Sequence, residues 1–230
     1  MSQQPNVPQE EISEQQLSEL LQIRRDKLTA LREAGKDPYT ITKFDQTHHA
    51  AEIVENFEQL ENTEVVVAGR LMTWRDMGKA SFVDLRDGSG RIQIYIKIDD
   101  VGEDAYNEFN TWDVGDIIGV KGIAFRTRRG EISVHASEIK LLSKSLLPLP
   151  DKYHGIKDVD TRYRQRYLDL IVNPDVRDTF VKRSRITTLI RQFLDQRGFL
   201  EVDTPVLHTR EIGASARPFI THHNTLDMQM

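Results

Sequence analysis

The sequence predicts an α+β chain: a long leading helix, then a five-stranded β-barrel, then a connection into the opening of a second unit of helix and strand. Three observations carry this. Leucines recur at helical spacing near the start, and five short β-branched runs separated by turn residues begin at Glu64. Between Leu146 and Asp158, Pro148, Pro150 and Gly155 interrupt all periodicity before helical patterning resumes. A chain of 230 residues, 38% of them hydrophobic, is long enough for two domains with a core each.

The first helix is expected to open on a capping box formed by Ser13 and Gln16. It carries Leu17, Leu20, Leu21, Leu28 and Leu31 on one face and stops at Gly35 and Pro38. Arg24, Arg25, Lys27 and Arg32 fall on its charged face, which suits solvent better than RNA. A shorter helix is expected around His48 to Phe57. His48 and His49 are neighbours in sequence and point apart on a helix, so no metal site is expected of them.

The strands are expected at Val65–Trp74, Ala80–Leu85, Arg91–Ile98, Asp116–Arg126 and Glu131–Leu142, with helical character from Glu103 to Trp112. Five strands with a helix between the third and fourth is the order of an oligonucleotide-binding (OB) barrel, a small closed sheet. Beyond the connection, Thr161–Ile171 reads as one helix. Asn173 and Pro174 open another, with Phe180, Ile186, Leu189, Ile190, Phe193 and Leu194 as its apolar stripe up to Gly198. A strand from Phe199 to Val202 closes before Pro205.

Composition narrows the function. The chain has no cysteine, which excludes disulfides, thiolate metal sites and a thiol nucleophile. Met1 to Glu11 lacks the basic start and apolar run of a secretion signal, and no stretch approaches the roughly 18 apolar residues of a membrane span. A cytoplasmic protein without membrane partners is expected. The net charge of −5 argues against gripping nucleic acid over the whole surface, yet allows a local basic site. Arg126, Arg128 and Arg129 form one basic cluster, and Arg162, Arg164 and Arg166 another.

Strand alternation singles out a site on the barrel. Ile92, Ile94, Ile96 and Ile98 should face the core, with Gln93, Tyr95 and Lys97 between them facing out. Val83 and Leu85 face in on the neighbouring strand, leaving Phe82 outward. With Arg75 nearby, this makes a ring to stack on, an amide to bond a base edge and a cation, the parts needed to hold one unpaired base. An outward phenylalanine also packs under loops, so the trio alone leaves RNA readout open.

Three later segments decide the family. They are Thr161-Arg162-Tyr163-Arg164-Gln165-Arg166-Tyr167-Leu168-Asp169-Leu170-Ile171, the helix and strand ending in Arg197-Gly198-Phe199-Leu200-Glu201-Val202-Asp203-Thr204-Pro205, and Gly213-Ala214-Ser215-Ala216-Arg217-Pro218-Phe219-Ile220-Thr221-His222-His223-Asn224. Together they resemble the bacterial-type lysine–tRNA ligases, class II aminoacyl-tRNA synthetases, and the resemblance runs from about Ser13 to Met230. It implies a helical extension over 1–59, an OB anticodon-binding domain over 60–145, a linker over 146–160, and over 161–230 the incomplete start of an antiparallel-sheet catalytic domain.

The resemblance further implies that Arg75, Phe82 and Gln93 read the anticodon of lysine tRNA, with Glu131 a possible added contact. It implies that Arg177 to Pro205 is the first class II motif, a homodimer contact, and that Gly213 lies beside the lysine pocket. The family often has a glycine pair there, and Ile212 stands at the first position. Arg217, His222 and His223 share that stretch, with structural roles expected. ATP and Mg²⁺ would serve the full-length enzyme through the second and third class II motifs. Those are expected beyond Met230, so no catalytic residue is expected in this chain and neither group is expected to bind it well. Two other readings stay open: a non-catalytic RNA-binding module derived from such a ligase, and an aspartate- or asparagine-type ligase sharing the barrel.

Overall fold

The structure, a computed structural model, describes residues 14–150, 156–210 and 217–230. The Ser13 capping box, Ile212, Gly213 and part of the predicted linker therefore lie outside the described residues. The chain forms two compact units, Met1–Gly155 and Ile156–Met230.

The first unit opens with α1 (Glu14–Glu33), followed by a 3₁₀ turn at Pro38–Thr40 and the short helices α2 (Ala50–Glu55) and α3 (Phe57–Leu60). The expected leucine stripe of α1 is only partly used: Leu28 is buried, while Leu17 and Leu20 stay exposed. Polar contacts hold the helix instead, and Arg24 is a correction to the charged-face reading. Its guanidinium is buried and donates to the carbonyls of Ser145 (2.7 Å), Leu147 (3.3 Å) and Val114 (3.1 Å), which spend its charge inside the unit. Lys27 pairs with Asp113 at 2.8 Å and Arg32 with Asp37 at 2.9 Å.

Five strands close the barrel in the order β1-β2-β3-β5-β4: β1 (Glu64–Asp76), β2 (Ala80–Arg86), β3 (Arg91–Lys97), β4 (Ile117–Arg126) and β5 (Ile132–Ser143). All neighbours are antiparallel except β3 and β5, which meet in parallel over Gln93–Ser133, Ile94–Val134 and Tyr95–His135. Between β3 and β4 come α4 (Ile98–Val101) and α5 (Glu103–Phe109). The expected alternation fills the interior: Val65, Val67, Leu71, Val83, Leu85, Ile92, Ile94, Ile96, Ile118, Val120 and Val134 are all at most 1% exposed. Ile98 departs from it, because β3 stops at Lys97 and Ile98 begins α4, packed only partly against the core.

Asp87 builds the β2–β3 turn, accepting from the amides of Ser89 (2.7 Å) and Gly90 (2.8 Å), and it ties that turn to α2 by accepting from Ala50 N at 2.8 Å. Gly130 turns the β4–β5 hairpin at φ +87°, a conformation that side chains with a Cβ rarely adopt.

The second unit holds α6 (Val159–Arg164), α7 (Arg166–Val172), α8 (Pro174–Asp195) and a hairpin of β6 (His222–His223) and β7 (Met228–Gln229). The single helix expected over Thr161–Ile171 is broken at Gln165, where φ and ψ are −115° and 57°. The break lets Arg162 and Arg166 converge with Asn173 on the buried carboxylate of Asp169. Asn173 occupies the N-cap of α8 but makes no side-chain cap bond; its Nδ2 donates instead to Asp169 and to Ile156 O.

The stripe of α8 is exposed, with Ile186, Leu189, Ile190 and Phe193 each more than half accessible. The strand expected from Phe199 to Val202 does not form. Among the described residues none pairs with it, and a lone strand leaves its N–H and C=O groups without a ladder.

Candidate nucleic-acid interface

Strand register sets two rows of side chains on the outside of the barrel. One row crosses Arg75 of β1, Phe82 of β2, Tyr95 of β3 and His135 of β5. The adjacent row crosses Thr73, Asp84, Gln93, Ser133 and Phe125. The first row is an aromatic strip with a cation at its end. The Arg75 guanidinium lies 5.9 Å from the Phe82 ring centre, Phe82 is 4.8 Å from Tyr95, and Tyr95 is 5.0 Å from His135. The second row is a hydrogen-bonded floor. Thr73 Oγ1 donates to Asp84 Oδ2 at 2.7 Å, and Ser133 Oγ donates to Gln93 Oε1 at 3.0 Å.

Arg75, Phe82 and Tyr95 of the first row and Gln93 and Phe125 of the second line one open recess of about 1220 Å³, which also takes in Met77, Lys79 and the β4–β5 turn. Arg75, Lys79, Arg91, Arg128 and Arg129 line it against a single carboxylate, Glu131. A chain of net charge −5 thus concentrates positive charge at this face. Arg91 bridges the floor, donating to Glu131 Oε1 at 2.8 Å and to Asp84 Oδ2 at 3.4 Å.

Arg75, Phe82, Gln93 and Glu131 all line the recess. Gln93 needs one correction. It lies on the outer face as parity requires, yet it is only 7% exposed, because Ser133 and its neighbours cover it. With Oε1 engaged by Ser133, the amide nitrogen remains as the group that can donate to a base edge. Of the first basic cluster, Arg128 and Arg129 line the recess, whereas Arg126 sits over the Phe57 ring at 4.7 Å. The second cluster is spent within its own unit, Arg162 and Arg166 on Asp169 and Arg164 on Asp160.

Sequence reasoning missed Phe125, His135, Ser133 and Arg91, and placed Tyr95 outward without a role. Alternation carried through β4 and β5 would have found the first three. His135 is held in place by Asp100, 2.7 Å from its Nε2. Among the described residues no three His, Asp or Glu side chains converge as a metal site would need.

A closed five-stranded barrel with a basic, aromatic-lined outer recess is the architecture of the oligonucleotide-binding fold, which commonly holds single-stranded nucleic acid on that face. Residues 65–142 match the OB-fold nucleic acid binding domain, and residues 158–230 match the class II tRNA synthetases for D, K and N. The chain is 56% identical over 218 residues to a lysine–tRNA ligase of Clostridium perfringens (strain ATCC 13124), covering 95% of this chain and 44% of that protein. Similar matches are the lysine–tRNA ligases of Clostridium tetani, 54% identical over 94% of this chain and 43% of that protein, and of Carboxydothermus hydrogenoformans, 56% identical over 94% and 44%. Over about 95% of its length the chain is thus homologous to lysine–tRNA ligases. It spans a little under half the length of the curated relatives it matches.

Proposed function

We propose that this chain is the anticodon-reading portion of a lysine–tRNA ligase and that it holds an unpaired base of the anticodon in the recess on the barrel. The carrying observation is the convergence of Arg75, Phe82 and Gln93 in one basic recess, where a partly exposed ring lies between a guanidinium and an amide. In this reading Phe82 stacks the base, the Gln93 amide nitrogen donates to an acceptor on its edge, and Arg75 contacts base or phosphate. The Arg91–Glu131 pair fixes the far wall.

Lysine activation with ATP and Mg²⁺, and transfer of lysine to the tRNA 3′ end, belong in this reading to the longer enzyme. No described cluster of side chains fits a metal ion, and no step of that chemistry is placed on these residues. Gly213 is proposed to lie beside the lysine pocket. The exposed stripe of α8, within Arg177 to Pro205, is proposed as the contact with a second subunit.

The test is binding of this chain to the anticodon stem-loop of lysine tRNA at one fixed salt concentration. Changing the central anticodon base, or making Phe82→Ala, is expected to weaken binding by about 1–3 kcal/mol. Binding indifferent to both changes would overturn the proposal.

A further inference from the structure

The aromatic strip extends past Phe82. Tyr95 sits 4.8 Å from Phe82, and behind it Phe125 and His135 lie 6.3 Å and 5.0 Å from Tyr95. These rings are not coplanar: Tyr95 is inclined 36° to Phe82 and 58° to His135. A planar base lies flat on one such orientation at a time, so the strip offers two platforms rather than one broad floor. The recess points the same way. At about 1220 Å³ it exceeds the roughly 300–1,000 Å³ of pockets that enclose one small ligand.

Two further features suit a ligand on the second platform. The His135 ring is braced by Asp100 from the side, so the platform is preset without a ligand. Beyond Phe125, the turn brings Arg128 and Arg129 to the rim, where a phosphate joining two nucleotides would be neutralised.

We propose that Tyr95, backed by Phe125 and His135, is a second stacking surface that takes the nucleotide adjoining the one on Phe82. The proposal rests on the anticodon reading above and deepens it: the site then holds two consecutive unpaired bases, each on its own ring. Phe82 and Tyr95 become separate determinants, one for each base.

The experiment is a set of double-change cycles using the full chain and the anticodon stem-loop of lysine tRNA. Phe82→Ala and Tyr95→Leu are each combined with loops in which one anticodon base at a time is replaced by an abasic residue. Each protein change is expected to weaken binding about 5- to 150-fold. Tyr95→Leu should add nothing once one particular base is removed, and that base should neighbour the one coupled to Phe82. Tyr95→Phe keeps the ring and is expected to bind within about twofold of the unaltered chain, which separates loss of stacking from loss of fold. Coupling of Tyr95 to the same base as Phe82 would overturn the proposal, since Tyr95 would then only support Phe82. Coupling of Tyr95 to no base would also overturn it while leaving the anticodon reading intact. Coupling of neither residue to any base overturns both.

Discussion

Asp87 puts a carboxylate where four donors converge: the amides of Ala50, Ser89 and Gly90 and the hydroxyl of Ser89. Burial pushes its carboxyl up, and the hydrogen bonds from Ala50, Ser89 and Gly90 outweigh that and hold it below the usual carboxylate range. The sign of the linkage follows. Its stabilisation is complete above the unfolded value of about 3.9 and is lost as pH falls through the lower folded value. Asp87→Asn removes the charge and is expected to cost about 1–3 kcal/mol near neutral pH. Urea midpoints should show the gap between the two proteins narrowing below about pH 3.9; a gap unchanged by acid would mean the charge contributes nothing. At this scale Phe82 was legible because strand parity needs only its neighbours in sequence. Gln93 was half legible: parity gave its face, but its cover, Ser133, is brought in by a pairing 40 residues away.

Among the elements, the end of β5 shows how polar groups decide packing. Lys144, with a side chain 1% exposed, bonds both Asp113 and the fully buried Asp116, which also accepts from Ser145 N at 2.7 Å. This cluster joins the turn before β4 to the end of β5, and Lys27 of α1 reaches the same Asp113. Lys144→Met leaves the buried carboxylate of Asp116 without its cation, while Lys27 still pairs with Asp113, and is expected to destabilise the first unit by about 3–5 kcal/mol, read from denaturant midpoints. A loss under about 1 kcal/mol would show that solvent already screens the cluster. The strands were legible within a residue or two because turn residues bracket each run. The anchoring of α1 was not, since helical periodicity marks leucines and says nothing of an arginine whose acceptors are carbonyls of Val114, Ser145 and Leu147.

For the whole molecule, the two units differ in how they bury their surface. The barrel closes on itself and leaves no edge, whereas the second unit exposes the α8 stripe together with Leu200, Val202 and Val206. Limited proteolysis is expected to cut first within residues 199–210, whose backbone forms no ladder, and to spare a fragment from α1 through β5. The barrel domain expected over 60–145 would by itself set that resistant fragment; the Arg24 and Lys27 contacts extend it to α1. Cleavage inside β1–β5 at the same rate would contradict the closed barrel's protection. The Phe199–Val202 strand was read from its residues and is absent for want of a partner, a property of the assembly around a strand and not of its composition.

The parallel meeting of β3 and β5 has a further consequence. It is the seam of the barrel, only three residue pairs long, and it joins segments far apart in the chain. With three pairs against seven between β1 and β4 and ten between β4 and β5, it is the shortest pairing of the cylinder. Gln93, Tyr95, Ser133 and His135 are the outward residues on its two sides. A nucleic acid seated there as proposed would span the seam like a clasp, and its binding free energy would add to the stability of the closed cylinder.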